Sequence, residues 1–409
     1  MKGIGAKRVT LPEAPFGWLL RDEFTDTRAA GAVNGTAATP GPGTRVVTDT
    51  GNNMTVSAGA CQMVASNILW GDPGLWYGAF ARTAGRYLIA HWNPSAVLPG
   101  GGYTIGWDNG QVGLPGVNSF NMVSAGLEIK VYNGAVIIDT GLAYALNTGY
   151  RLCVILRTAG AYWLIRGGAF TDWTLIYVGS TNNTATVYPN VQASRHTAAF
   201  GFVRIPAYLY LPTPQAYDTF TRANGPLGSS EGTGPEGQGV SARSWANQVG
   251  TTLVAGNAAS ASALVGGIAI ATVETATANV VHGAKLTRAG NEVGVVVRYA
   301  DSNNYVRAYH DGANAKLDKV VGGVVTNVIT AAQAYAAGTY IWVICDGTQF
   351  DLYYNNTKIG ATGTIADAAL QNGAEHGLYS TNTGNSQDDM LTMPRGSEGQ
   401  YNGLDKYGG

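Results

Sequence analysis

The sequence predicts an all-β protein built from two tandem antiparallel β-sandwich domains. Glycine supplies 57 of the 409 residues, about double its usual share, which indicates many turns. The runs between these turns are short and rich in Val, Ile, Thr and Tyr, the residues that favour strands. Two segments of the first half also recur in the second half, which indicates that one domain has been duplicated.

The duplication rests on two pairs of similar segments. "LLRDEFTDTRAAG" (Leu19–Gly31) resembles "QAYDTFTRANG" (Gln215–Gly225), and both place Phe-Thr after an acidic residue. "YALNTGYRLCVILRTAGAYWLI" (Tyr144–Ile165) aligns with "YAAGTYIWVICDGTQFDLYY" (Tyr335–Tyr354) at nearly the same offset. Because both pairs give one spacing, we expect the second copy to begin near Gln215.

The domain boundaries follow from the repeat and from a linker. "LYLPTPQA" contains Pro212 and Pro214 and has the composition of a short connection between domains. We expect four parts: an N-terminal arm at 1–16, a first domain at 17–212, a second domain at 213–394 and a flexible C-terminal tail at 395–409.

The strands of the second copy follow one another at the spacing typical of a sandwich. A hairpin turns at "DSNN", and no amphipathic helix separates the apolar runs. In order, the predicted strands are "EVGVVVRYA", "YVRAYHDG", "KVVGGVVTNVI", "GTYIWVICDG", "QFDLYYNN" and "KIGATG". In the first copy we expect two long loops, Asn93–Gly102 and Asp108–Asn121.

Charge and cysteine content exclude several classes of function. Only 12% of residues are charged, and 25 basic against 26 acidic residues give a net charge of -1, so we expect no nucleic-acid partner. No run approaches the length of a membrane span, and no Sec signal peptide is recognisable, so we expect synthesis in the cytoplasm without membrane insertion. Cys61, Cys153 and Cys345 show no metal or disulfide spacing and are expected to be buried free thiols.

Three segments of the second copy carry a resemblance to a known family. "VGVVVRYADSNNYVRAYHDG" (Val293–Gly312), "AAGTYIWVICDGTQFDLYYNNTKIG" (Ala336–Gly360) and "EHGLYSTNTGNSQDDM" (Glu375–Met390) resemble concanavalin A-like, laminin G-like jelly-roll domains. The resemblance covers most of residues 213–394 and extends to 17–212 through the repeat. It implies a jelly-roll fold and a tendency to bind carbohydrate or protein. Tandem domains of this kind also resemble modules of bacteriophage tails, fibres and capsid surfaces.

No catalytic motif is convincing in the sequence. The E-x-D-x-E run with which glycosidases of this fold class supply their carboxylates is absent. "GSSEG" (Gly228–Gly232) matches a nucleophile elbow in letters only, because it lies in a Gly and Pro loop instead of between a strand and a helix. The five histidines have no common ligand spacing and are expected at surface or half-buried positions. We therefore expect that the protein is not an enzyme.

Calcium is a candidate ligand that the resemblance brings in. Related sandwich domains often hold a structural calcium ion between their first and last strands, which implies Asp218, Asp388 and Asp389 as its ligands here. Asp22 and Glu23 would serve the first copy. The alternative is that these acids are solvated residues at strand ends.

Aromatic residues are concentrated in the first domain, which contains seven of the nine tryptophans. Trp70 and Trp76 flank the "GDPGL" turn and Trp107 precedes a "DNG" turn, so these three are candidates for stacking on a sugar. The alternative is that they fill the core of the sandwich, as Trp163 is expected to do.

These observations favour a structural or adhesive virion protein that displays two laminin G-like domains. Its partners would be other virion proteins, copies of itself or a host-surface glycan, and its location would be the virion. The alternative is a free carbohydrate-binding, lectin-like protein, located outside the cell. A glycoside hydrolase or lyase is the least favoured hypothesis.

Overall fold

The structure, a computed structural model, describes residues 17–57, 59–64, 72–110, 117–181, 184–207 and 209–396, together with 401 and 404. Within these residues the regular structure is β-strand, apart from 3₁₀ turns at Ala125–Leu127 and Ala368–Leu370. The predicted all-β class is therefore confirmed. No helix in this part of the chain is long and apolar enough to cross a membrane. The predicted arm at 1–16 lies outside the described residues.

The strands of the first half form one sheet system. They are β1 (Trp18–Asp22), β2 (Val46–Thr48), β3 (Met54–Ser57), β4 (Ala60–Val64), β5 (Gly74–Trp76), β6 (Phe80–Ala81), β7 (Tyr87–Asp108), β8 (Asn118–Val123), β9 (Glu128–Asn133), β10 (Val136–Ala143), β11 (Tyr150–Leu156), β12 (Ala161–Gly167), β13 (Phe170–Val178) and β14 (Thr186–Pro206).

The strands of the second half form two separate sheets. They are β15 (Ala216–Asp218), β16 (Gly225–Pro226), β17 (Trp245–Val249), β18 (Thr251–Val254), β19 (Ala259–Ala263), β20 (Ala269–Glu274), β21 (Val280–Thr287), β22 (Val293–Asp301), β23 (Asn304–His310), β24 (Asn314–Val321), β25 (Val324–Ala332), β26 (Thr339–Asp346), β27 (Gln349–Tyr354), β28 (Thr357–Thr364), β29 (Glu375–Ser380) and β30 (Ser386–Pro394).

The two halves use the same strand order. The pairings β2-β5-β14-β7-β8-β9-β10 in the first half correspond to the seven-stranded sheet β17-β20-β29-β22-β23-β24-β25 in the second. The first half joins its sheets through the long strands β7 and β14, of 22 and 21 residues. At the corresponding places the second half has two shorter strands each, β21 and β22, and β29 and β30. A duplicated domain would have this shared order, and the predicted boundary at 212/213, between β14 and β15, stays a prediction.

Strand β26 shows how the two halves pack together. Ile341 and Val343 face the core of the second half, whereas Trp342 and Ile344 on the opposite face join the core of the first half. This sheet is therefore buried on both faces, which explains why "YIWVIC" is apolar throughout instead of alternating. Across the same interface the rings of Tyr177 and Tyr353 lie 5.8 Å apart.

The two long loops predicted in the first domain are wrong in large part. Asn93–Gly102 lies within β7, and the end of Asp108–Asn121 belongs to β8, which begins at Asn118. The glycines and prolines that suggested loops are tolerated because β7 bends as it passes from one sheet to the other; register shifts in its pairing with β14 mark this bend. Residues 111–116 lie outside the described residues.

The predicted flexible tail also needs correction where the structure describes it. Arg395, Tyr401 and Leu404 are buried, and the latter two belong to the core of the first half. The Leu175 backbone N–H donates to the Arg395 carbonyl oxygen at 2.8 Å, so the chain after β30 continues the hydrogen bonding of β13. This return could not be predicted from the sequence, because the tail is polar and rich in glycine.

Candidate functional site

One face of the first domain's sheet is lined by polar side chains. Thr104 on β7 is opposite Gln192 on β14 and Asn121 on β8. Two residues before Gln192 on β14, Asn190 is opposite Trp76 on β5. Directly opposed residues of antiparallel strands share a face, and so do alternate residues of one strand. We call this surface the polar face, formed by Trp76, Thr104, Asp108, Ser119, Asn121, Asn190 and Gln192.

The alternation of the strands creates this face. On β7, Ile105 and Trp107 point into the core of the first half, so Thr104 and Asp108 point the other way. Gly106, between them, is opposite both Asn190 and Ser119. Its φ is +147°, and a Cβ there would lie 2.7 Å from the Ser119 Cα, so glycine is required and β7 adds no side chain at this point.

The polar face is buried, yet most of its side chains lack partners. Each of the seven residues is at most 2% exposed. Six of them have buried atoms without a hydrogen bond: Trp76 Nε1, Thr104 Oγ1, Ser119 Oγ, Asn121 Oδ1, both side-chain polar atoms of Asn190, and Gln192 Oε1. A buried polar atom left unpaired costs about 1–3 kcal/mol, so a cluster of such atoms makes the polar face a candidate binding site for a polar ligand.

Asp108 is the acidic member of the polar face. Its carboxylate accepts hydrogen bonds from the Asn109 backbone N–H at 2.7 Å and from Gln192 Nε2 at 3.3 Å. The Trp76 indole N–H faces the same carboxylate without reaching normal hydrogen-bond geometry. Burial raises the pKa of Asp108 to about 6, and these hydrogen bonds keep it from rising further.

The polar face reaches accessible surface at its two margins. On one side Gln192 is opposite Gly74, which pairs with the partly exposed Thr48 of β2. On the other side Asn121 is opposite the partly exposed Lys130 of β9. The polar face therefore has a buried centre and borders partly exposed residues at both margins.

The corresponding face of the second domain is satisfied by its own side chains. Arg307 donates to Asp318 at 3.0 Å and to Glu292 at 3.4 Å. The hydroxyl groups of Tyr309 and Tyr379 donate to Asp318 and Glu292 at 2.8 and 2.6 Å. Although a groove of about 700 Å³ lies beside this cluster, its charges are already paired. The two domains share a strand order but differ in whether the polar side chains of this face are paired with one another.

The structure separates the three tryptophans proposed for sugar stacking. Trp76 lies on the polar face, fully buried. Trp107 does not fit the hypothesis, because its indole is fully buried in the core and donates to the Val154 carbonyl oxygen at 3.0 Å. Trp70 lies outside the described residues. Trp163 is buried in the core, as expected.

The calcium site predicted from Asp218, Asp388 and Asp389 is not formed. Asp218 is fully buried and makes two hydrogen bonds with Arg222, at 2.7 and 2.9 Å, plus one from Trp245 Nε1 at 2.7 Å. Asp389 pairs with Lys285. Burial and the neighbouring carboxylates raise the pKa of Asp388. Cations of the protein therefore neutralise two of the acids, and the described residues contain no cluster of three metal-ligating groups.

The first copy uses the same arrangement. Asp22 is fully buried and accepts hydrogen bonds from Arg45 at 2.6 and 2.7 Å, while Glu23 pairs with Arg21 and Arg204 instead of a metal.

The aspartates of both copies also position the phenylalanine that follows two residues later. Asp22 and Asp218 each accept the backbone N–H of Phe24 or Phe220, at 3.1 and 2.8 Å. Both phenylalanines have a φ of 53°. The recurring acid-x-Phe pattern thus marks a buried ion pair and a strained turn, which is its structural role in both copies.

Calcium should therefore leave the stability of the protein unchanged. We expect the melting temperature in millimolar CaCl₂ to agree with that in EDTA to within about 1 °C, because an ion that binds only the folded state would raise it. A difference of several degrees, measured by differential scanning fluorimetry, would contradict the conclusion that Arg222, and not calcium, neutralises Asp218.

Comparison with known proteins gives only distant likenesses. No protein-family model matches the sequence, and no curated protein matches it. The carbohydrate binding module CBM66 from Bacillus subtilis is similar over 36% of this chain and 94% of its own, with 13% identity and a TM-score of 0.31. Sheep galectin-11 is similar over 30% of this chain and 94% of its own, with 10% identity and a TM-score of 0.24.

Two predictions change in the light of these comparisons. The GH43 BlXynB protein from Bacillus licheniformis is similar over 82% of this chain and 96% of its own, with 12% identity and a TM-score of 0.28. The prediction that the protein is not an enzyme is contradicted by this match to a GH43 protein over most of the chain. None of the structures named here supports the virion hypothesis. At these identities the likeness concerns the β-sandwich fold, and the CBM66 and galectin structures are carbohydrate-binding or lectin-like examples of it.

Proposed function

We propose that this protein binds carbohydrate, and that the polar face of the first domain is the binding site. The observation that carries the proposal is the row of buried side chains without hydrogen-bond partners on one sheet face. Sugar hydroxyl groups both donate and accept, so one glycan residue can satisfy several neighbouring Asn, Gln, Ser and Thr side chains at once. Trp76 on the same face supplies an aromatic surface of the kind that stacks on sugar rings.

The second domain supports this proposal by contrast. A sheet face with the same strand order is filled there by Arg307 and its two carboxylate partners. If the polar face of the first domain served only to hold the sandwich together, the same self-pairing would be expected there, since unpaired buried groups are costly. The first domain retains unpaired groups where its duplicate has ion pairs, which favours a ligand-binding role.

Asn190→Leu is the variant that tests the proposed site. Both polar atoms of this side chain lack partners, so leucine of similar size should leave the melting temperature unchanged or raise it. It should also weaken glycan binding by about tenfold or more, through the loss of at least one hydrogen bond and of the fit to a polar ligand. The measurement is a glycan array with the labelled protein, followed by calorimetric titration of the strongest ligand.

The matched control is Lys316→Ala on the corresponding face of the second domain, where Lys316 is opposite Tyr309. This variant should bind the same glycans with unchanged affinity. The proposal fails if a diverse array yields no ligand, or if Asn190→Leu binds as tightly as the wild-type protein. A large fall in the melting temperature of Asn190→Leu would instead show that the polar face holds the fold together.

A further inference from the structure

The polar face needs a ligand that can both donate and accept hydrogen bonds. Among its unpaired atoms, Asn121 Oδ1, Asn190 Oδ1 and Gln192 Oε1 can only accept, and Asp108 adds an anionic carboxylate. Trp76 Nε1 and Asn190 Nδ2 can only donate, and the hydroxyl groups of Thr104 and Ser119 can act either way. Sugar hydroxyls donate as well as accept, whereas carboxylate and sulfate oxygens only accept.

The charge of the site points in the same direction. Asp108 makes no ion pair among the described residues, and its hydrogen-bond partners, Asn109 and Gln192, are neutral. At the margin of the face, Lys130 is opposite Asn121, and it pairs with Glu128 at 2.9 Å. An anionic ligand entering the buried centre would meet an uncompensated negative charge in surroundings that screen it poorly.

We propose that the polar face takes an uncharged, hydroxyl-rich glycan and rejects glycans that carry carboxylate or sulfate groups, with Asp108 as the residue that determines this specificity. The inference rests on the proposed function and adds the class of ligand. It uses repulsion as well as attraction, as specific sites commonly do. The second domain again differs, because the carboxylates of Asp318 and Glu292 there share Arg307 as a cationic partner.

The experiment compares matched pairs of oligosaccharides at pH 7.5. The probes are galactan, glucan and mannan tetrasaccharides, each set against the tetrasaccharide of the corresponding uronic acid, titrated into the full-length protein. The neutral member of the pair that binds should do so at least about tenfold more tightly than its acidic counterpart. Asp108→Asn, which keeps the shape and removes the charge, should reduce that ratio to about threefold or less.

Asp139→Asn is the matched control, because Asp139 lies on the same sheet, at the partly exposed β10, and should leave the ratio unchanged. Asp108→Ser provides the same comparison if Asp108→Asn does not fold. Equal or tighter binding of the acidic tetrasaccharides overturns the inference and leaves the proposed function standing. So does an unchanged ratio in the folded Asp108 variants. If none of the neutral or acidic probes binds and a broad array also yields no ligand, the proposed function itself fails.

Discussion

Replacing Arg45 by methionine should lower the free energy of unfolding by about 3–5 kcal/mol, because the change leaves buried carboxylates without their cation. The Arg45 and Asp22 side chains are both fully buried, and Arg45 also donates to Asp26 at 3.0 and 2.9 Å. The guanidinium is the main reason that the pKa of Asp26 lies well below its ordinary value, with further hydrogen bonds from Thr39 and Arg28. Urea denaturation followed by tryptophan fluorescence measures the effect.

The second domain supplies a control for this prediction. Arg222 pairs with the equally buried Asp218, but its own side chain is 28% exposed, so water can reach Asp218 more readily when Arg222→Met is made. We expect a smaller loss there, about 1–2 kcal/mol. Asp22→Asn combined with Arg45→Met should cost less than the two single changes added together, because no unpaired charge remains at Asp22. A loss below about 1 kcal/mol for Arg45→Met alone would contradict the prediction.

The sequence was sufficient to predict the fold class because strand periodicity and turn residues are local signals. The hairpin at "DSNN" appears as β22 and β23, and "GTYIWVICDG" contains β26. The prediction from sequence failed at β7, where a strand of 22 residues passes through a bend that is rich in Gly and Pro and therefore resembles a loop. "KVVGGVVTNVI" was predicted as one strand but forms the hairpin of β24 and β25, since Gly322 and Gly323 turn the chain.

The candidate site was harder to predict, because its residues come together only through strand pairing. The alternation in "TIGWD", "SFNM" and "NVQA" does place polar and apolar residues on opposite faces, and this signal was available in the sequence. Alternation alone, however, predicts a solvent-exposed polar face. That the side chains are buried and unpaired depends on residues distant in the sequence. The calcium prediction failed for the same reason. Arg222 and Lys285 pair with Asp218 and Asp389, and these pairings could not be predicted from the local sequence.

The histidines were expected at surface or half-buried positions, but four of the five are buried, and two of these, His282 and His376, form a pair in the second domain. The rings of His282 and His376 lie 5.8 Å apart, and both residues are 0% exposed. Each ring has partners for its neutral form: His282 lies between the Thr392 hydroxyl and the Gly377 carbonyl, and His376 between the Arg298 N–H and the Thr277 carbonyl. Protonation of His376 would turn its accepting Nδ1 into a donor that faces the Arg298 N–H, and protonation of either ring would place a positive charge in a fully buried site.

This pair should make the protein lose stability as the pH falls below about 6.5. Burial lowers the pKa of His282 to about 4 and that of His376 to about 3, whereas the unfolded chain protonates near the ordinary value of about 6.5. Between these values the unfolded state binds more protons, so the stability is complete above pH 6.5 and declines towards pH 4. Each histidine contributes about 1.4 kcal/mol per pH unit once protonated in the unfolded chain. Urea denaturation at pH 7.5, 6.5, 5.5 and 4.5 measures the slope.

A double variant, His282→Gln with His376→Gln, should reduce this slope, because glutamine does not titrate and can keep one donor and one acceptor at each position. Part of the slope should remain, since burial also lowers the pKa of His91, His196 and His310. Asp108 acts in the opposite sense, since its raised pKa of about 6 means that the folded state binds the extra proton below that pH. Making both histidine changes in an Asp108→Asn background removes this offset. If the double variant does not fold, the imidazole resonances of the wild-type protein give the same information by NMR. Titration of either buried ring above pH 5.5 in the folded state would contradict the prediction, because a ring that accepts a proton there would not oppose folding as the pH falls.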